Sequence, residues 1–282
     1  PDTERACMQE AAIMHRTRIG KDFSNNMNEA LLEVKDLTMR FGGVTALHEL
    51  SFAVKKNEIC GLIGPNGAGK TTLFNVISRI YDPTTGSINF QNETLLNKAS
   101  YQIAQMGIAR TFQNLALWPK MTVLENVMAG AHVHGKQNFF SAMLRIGLAR
   151  EELKLRQNAL TILESLDLSQ HANKACGGLP FGTMKRIELA RALINKPELL
   201  LLDEPATGLN QSEVNELSSL IKTVRNEYGL TILLVEHHMG MVMGISDRVV
   251  VLDFGSKIAE GTPQEIQQNP IVINAYLGVS ND

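Results

Sequence analysis

The stretch "NEICGLIGPNGAGKTTLFNVISRI", Asn57 to Ile80, changes character twice. Its opening "ICGLI" is a continuous apolar run bounded by turn residues, which reads as a strand buried on both faces. "GPNGAGKTT", Gly64 to Thr72, then fills the pattern G-x-x-x-x-G-K-[ST] with Gly64, Gly69, Lys70 and Thr71. "KTTLFNVISRI" continues as a helix. Strand, glycine-rich loop and helix in that order are the setting of a phosphate-binding loop. Glycines let successive backbone N–H groups converge on phosphate oxygens, and the helix N-terminus adds the positive end of its dipole. The expected nucleotide cradle is Gly64, Pro65, Asn66, Gly67, Ala68, Gly69, Lys70, Thr71 and Thr72. Within it Lys70 reaches the β- and γ-phosphates and Thr71 ligates Mg²⁺.

A complement lies downstream in "ELLLLDEP". Leu199 to Leu202 read as a second buried strand, delivering Asp203 at its end to the Mg²⁺ shell and Glu204 to an attacking water, the order that phosphoryl transfer requires.

Outward from these two segments the pattern is α/β. Before the loop, "LLEV", "LTMRF" and "LSFAV" read as short strands of a small antiparallel sheet, and "YDPTTGSINFQNE" as a turn followed by another strand. From Leu115 to Asn173 apolar residues recur at helical spacing, with Leu153, Leu160, Leu163 and Leu166 assigned to one face. "ELLLLDEP", "LTILLVEH", "DRVVVLDFG" and "KIAEG" then bring strands back, with helices between the first three. That implies parallel strands covered on both sides. The expected architecture is a P-loop NTPase fold with a mostly parallel core sheet, an N-terminal antiparallel β subdomain and a helical subdomain inserted at about 115–190.

At 282 residues the chain has the length of one large domain or a domain with an insert. Its 27 Lys+Arg against 29 Asp+Glu give a net charge of −2, so no basic field points to nucleic acid. Cys7, Cys60 and Cys176 have neither zinc-ligand spacing nor a disulfide pattern, which fits a reducing cytoplasm. No uninterrupted apolar run is long enough to cross a bilayer. Residues 1–26 are polar and patternless and are expected to be a non-native or disordered leader, with Met27 opening a domain that runs over 27–282.

In order along the chain stand the phosphate loop, "RTFQN", "LPFGT", Asp203-Glu204, "ATGLN" and "VEHHM". This order resembles the nucleotide-binding subunits of ABC transporters from about Leu31 to Gly278. The resemblance implies ATP with Mg²⁺ as ligands, Gln113 as a hinge residue that also reaches the metal, and His237 as the switch histidine on the γ-phosphate. It also implies Phe41 as the aromatic that stacks on adenine. Leu179, Pro180, Phe181, Gly182 and Thr183 fall where the family carries L-S-G-G-Q, the signature turn that clamps a partner subunit's ATP. "MRFGGVTAL", "GIARTFQN", "MTVLENVMAG", "DEPATGLN", "VMGISDRVVVLDFG" and "GTPQEIQQNPIVINAYLG" are similar to the Liv-type ATPases of branched-chain amino-acid importers.

That likeness implies ATP hydrolysis powering integral-membrane permease subunits from the cytoplasmic face of the cell membrane. It further implies a second ABC ATPase as a heterodimer partner, and a periplasmic solute-binding protein in the same complex. Lipid or lipopolysaccharide export, and a soluble ABC protein on nucleic acid or ribosomes, are the alternatives; the latter usually carries tandem ATPase domains, heptad arms or zinc ligands. Two positions depart from the pattern. Asn210 replaces the D-loop aspartate, and Pro180 replaces the signature serine whose hydroxyl meets the partner's γ-phosphate.

Overall fold

The computed structural model describes residues 30–111, 115–131 and 148–277. Residues 1–26 and Gln113 lie outside the described residues. The strands are β1 (Ala30–Phe41), β2 (Val44–Lys55), β3 (Ile59–Ile63), β4 (Thr85–Phe90), β5 (Glu93–Thr94), β6 (Ile108–Arg110), β7 (Leu199–Asp203), β8 (Thr231–Val235), β9 (Arg248–Asp253) and β10 (Ser256–Gly261). They form a four-stranded antiparallel sheet, order β2-β1-β4-β5, and a six-stranded sheet, order β10-β9-β3-β8-β7-β6. In the second sheet β6, β7, β8, β3 and β9 run parallel, and only β10 is antiparallel to its neighbour.

The helices are α1 (Lys70–Ile77), α2 (Ser100–Gln105), α3 (Val123–Ala129), α4 (Leu148–Ser165), α5 (Phe181–Leu193), α6 (Gln211–Tyr228), α7 (Met239–Ile245), α8 (Pro263–Gln267) and α9 (Pro270–Leu277). Side chains alternate faces along a strand, and β7 shows why its leucine run is needed. Leu199 and Leu201 join the core shared with the antiparallel sheet and α1, where Phe52, Phe74 and Phe90 are buried. Leu200 and Leu202 join the opposite core, built with α3, α4, α5 and α6. A strand covered on both faces cannot alternate apolar with polar.

Two local readings need correction. "LLEV" and "LTMRF" are not separate strands; they are one 12-residue strand, β1. The pairing register shifts between Val34 and Leu37, where Asp36 has φ 48°. The Asp36 N–H donates to Ser51 Oγ, and the Ser51 hydroxyl donates back to Asp36 Oδ1. This side-chain bracket replaces the ladder bond lost at the bulge.

The second correction concerns α4. Ala159, Ile162, Leu163 and Leu166 are buried with Leu155 packed against them, whereas Leu153 is 60% and Leu160 39% exposed. At 3.6 residues per turn Leu153 stands about 140° around the helix from Leu166, too far to share its face.

The D-loop substitution has a local explanation. Asn210 caps α6, its side chain accepting the Glu213 N–H at 3.1 Å while Glu213 Oε2 accepts the Asn210 N–H at 2.9 Å. Asn and Asp cap about equally well, so the exchange keeps the helix start and removes a charge.

Candidate active site

The phosphate loop joins β3 to α1 and is wedged between β9 and β2. Gly64 has φ +155°, and a Cβ there would stand 2.2 Å from the Leu252 carbonyl oxygen. Gly69 has φ +97°, and a Cβ would meet Ala46 O at 2.6 Å and the Leu47 side chain at 2.8 Å. Only glycine satisfies both the conformation and the space. Lys70 opens α1 and is 6% exposed. Its Nζ donates to the Gly64 and Pro65 carbonyls at 2.7 and 2.9 Å, so the ammonium lies over the loop. Burial lowers the Lys70 pKa, and the Glu204 carboxylate acts in the opposite sense. Thr71 is exposed at the helix start.

Asp203 ends β7, and Arg110 at the end of β6 donates to its Oδ2 at 2.7 Å, both groups being largely buried. The same guanidinium donates to Asn75 Oδ1 at 2.8 Å and lies 5.5 Å from the centre of the Phe74 ring. Arg110 therefore ties the helix after the phosphate loop to the strand-end carboxylate. Glu204 follows at φ 48°, a left-handed conformation that is costly for a residue with a side chain. Its N–H donates to the Val235 carbonyl at 2.8 Å, which holds the turn. Glu204 Oε1 lies 2.5 Å from His237 Nε2, and its Oε2 accepts the Thr207 hydroxyl at 3.3 Å.

The two adjacent histidines differ in their partners. His237, with a side chain 44% exposed, faces Glu204. His238 caps α7, accepting the Met241 N–H at Nδ1 at 3.2 Å, and its Nε2 meets Gln211 Oε1 at 3.1 Å.

Pro180 precedes α5 with φ −54° and ψ 146° and makes no side-chain cap bond. Its carbonyl accepts the Met184 N–H at 3.0 Å, so the fixed proline φ sets the helix entry without closing its first turn to an anion. The Phe181 ring rests against Gly208, where a Cβ would come within 2.9 Å of it, and Lys185 Nζ lies 5.6 Å from the ring centre. Leu179 packs against the helical core, while a Cβ on Gly182 would stand 3.2 Å from Glu213 Oε1. The signature turn thus leans on the Gly208–Glu213 segment.

Phe41, 42% exposed at the end of β1, meets the Tyr81 ring edge-on at 5.2 Å. The structure therefore brings Asp203 and Glu204 together at one strand end, with Lys70, Arg110 and His237 around them. Sequence reading missed Arg110 in this constellation, Glu236, which accepts the N–H groups of Ala206 and His237, and Tyr81, which braces Phe41. Arg110 was visible as the residue three before Gln113, on a strand beside β7.

Residues 47–207 match the ABC transporter family, and residues 256–281 match the family described as branched-chain amino acid ATP-binding cassette transporter. The high-affinity branched-chain amino acid transport ATP-binding protein LivG of Salmonella typhimurium is 46% identical over 253 residues, covering 89% of this chain and 99% of that one. BraF of Pseudomonas aeruginosa, named in the same way, is 42% identical with the same coverage. Among solved structures, a nucleotide-free ATP-binding cassette from an ABC transporter gives a TM-score of 0.77 at 31% identity, over 88% of this chain and 98% of that one. The ADP conformation of the cassette MJ1267 gives 0.78 at 32% identity, over 88% and 99%. The likeness covers the whole cassette rather than its motifs alone, and the chain belongs to the ABC transporter ATP-binding family, in its branched-chain amino acid group.

Proposed function

We propose that this chain is the ATP-hydrolysing subunit of an importer for branched-chain or related amino acids. It works at the cytoplasmic face of the membrane against integral-membrane permease subunits, beside a second ABC ATPase and downstream of a periplasmic binding protein. Among the described residues no helix is long and apolar enough to cross a membrane, which fits a peripheral place. The observation that carries the reading is the 2.5 Å contact of Glu204 with His237 at the ends of adjacent parallel strands, with Asp203 beside it. Glu204 orients or deprotonates water, His237 holds Glu204 and the γ-phosphate in one frame, and Lys70 neutralises phosphate charge. The Thr71 hydroxyl and Asp203 carboxylate are hard oxygen donors suited to Mg²⁺, which binds through one or two carboxylates together with substrate phosphates. Phe41, with Tyr81 braced against it, offers an exposed ring for adenine.

Proteoliposomes containing the complex, with binding protein and a labelled branched-chain amino acid on the opposite side, test the reading. Uptake that requires ATP on the side of this subunit is expected. ATP-driven lipid release without uptake would contradict it.

We assign the permease contact to a groove beside Trp118. A groove of about 420 Å³ between α2, β6 and α5 is lined by Ile80, Ser100, Ile103, Ala129, Arg191 and Asn195. Trp118, 46% exposed, carries the Arg191 guanidinium 4.7 Å above its ring. Leu117 instead packs into the helical core. A permease helix with an apolar face fits such a groove. A photocrosslinker placed at Trp118 is expected to capture the permease; capture of the binding protein alone would place the contact elsewhere.

A further inference from the structure

Glu236 stands between the end of β8 and His237 and is 2% exposed. Both carboxylate oxygens are engaged by backbone. Oε1 accepts the Ala206 N–H at 2.6 Å, and Oε2 accepts the His237 and His238 N–H groups at 2.9 and 3.2 Å. The two segments it joins each reach Glu204 from a different side: Thr207, next to Ala206, donates to Glu204 Oε2, and His237 meets Oε1.

The His237 ring gets little support from packing, because its side chain is 44% exposed. Its aim is therefore set mainly by its backbone, and Glu236 grips that backbone directly. His238 closes the other end, fixed to Met241 and Gln211. A buried carboxylate with three N–H donors is a high-stakes arrangement, because removing the acceptor leaves donors without partners on both segments.

We propose that Glu236 is a positioning residue that clasps the Ala206 segment to the His237 backbone and so presents the His237 imidazole to Glu204. The proposal rests on Glu204 and His237 being the hydrolytic pair. Both Glu236 carboxylate oxygens are taken up by backbone N–H groups, so it acts through His237. The clasp also makes the segment after Glu204 and the switch histidine move as one piece.

Glu236→Gln probes the clasp with little change of shape. The amide keeps one acceptor but turns an NH₂ group toward N–H donors on one of the two segments. In the assembled transporter, Glu236→Gln is expected to lower kcat for ATP roughly tenfold or more, with KM held within about twofold. In a His237→Ala background the same change is expected to cost nothing further, because the group through which it acts is gone. Glu236→Asp keeps the charge but is one methylene short, and is expected to show the same split at smaller amplitude. This second variant decides the matter if Glu236→Gln melts early. Wild-type kcat in Glu236→Gln, or an equal loss with and without His237, would overturn the proposal, as would a raised KM with lowered melting temperature in both Glu236 variants. Wild-type turnover in His237→Ala would instead overturn the hydrolytic pairing beneath it.

Discussion

Glu204→Gln in the assembled transporter is expected to bind ATP within a few-fold of the wild-type affinity and to hydrolyse it roughly a hundred- to ten-thousandfold more slowly. The exchange replaces an oxygen by an NH₂ group of nearly the same size, so the turn at Glu204 and its N–H bond to Val235 have no reason to move. What disappears is the carboxylate proposed as base, which follows β7 and lies 2.5 Å from His237. Binding charge is supplied elsewhere, by Lys70 and by the N–H groups of the loop, so the loss falls on the chemical step. Phosphate release measured beside direct nucleotide binding separates the two. Turnover at the wild-type rate would remove Glu204 from the reaction.

Lys70→Ala is expected to fail earlier, at binding. The ammonium is buried over the loop, held by the Gly64 and Pro65 carbonyls. A charged hydrogen bond in such a site is worth roughly 1.5–3 kcal/mol, so ATP affinity should fall about ten- to a hundredfold, and turnover at ordinary ATP concentrations should fall with it. Because burial lowers the Lys70 pKa, the free subunit loses this charge at a lower pH than an exposed lysine would. Nucleotide affinity is therefore expected to weaken first on the alkaline side. Equilibrium binding of a fluorescent ATP analogue across pH checks both points; unchanged affinity in Lys70→Ala would contradict the cradle.

The phosphate loop was legible because its chemistry is written in contiguous residues: the glycines, Lys70 and the strand before them. β7 was legible for a related reason, since a strand facing two cores must be apolar throughout. The partners of Asp203 and of Glu236 were not legible in this way. Arg110 lies 93 residues from Asp203, and Glu236 lies 30 from Ala206; both meet only because β6, β7 and β8 are neighbours in one sheet. Neither hydrogen bond leaves a periodic trace along the chain.

The misplaced face of α4 has a different origin. Leu153 and Leu160, seven residues apart, do share a side, but it is the exposed one; Leu163 and Leu166 lie about 60° and 120° further round the helix. Ala159, Ile162 and Leu155 fill the buried side instead. Asn210 and Pro180 both appeared as departures from the family pattern, yet the structure treats them differently. Asn210 makes the capping bonds an aspartate would make, whereas Pro180 supplies neither hydroxyl nor N–H.

Pro180 bears on which site in the complex turns over. In the proposed dimer, Pro180 removes one charged hydrogen bond to the partner's γ-phosphate, a loss of roughly 1.5–3 kcal/mol. The helix N-terminus at Phe181 to Thr183 remains to face the anion. In the proposed pairing with a second ABC ATPase, this chain's signature turn faces the partner's phosphate loop and is weakened rather than dead. In the same proposed pairing Lys70 and Glu204 face the partner's turn and, where that turn carries a serine, form the main hydrolytic site. ATPase activity of the assembled complex, measured after replacing each subunit's catalytic glutamate by glutamine in turn, decides this directly. A larger loss from Glu204→Gln than from the partner's replacement is the expected result; equal losses, or a larger loss from the partner, would contradict it.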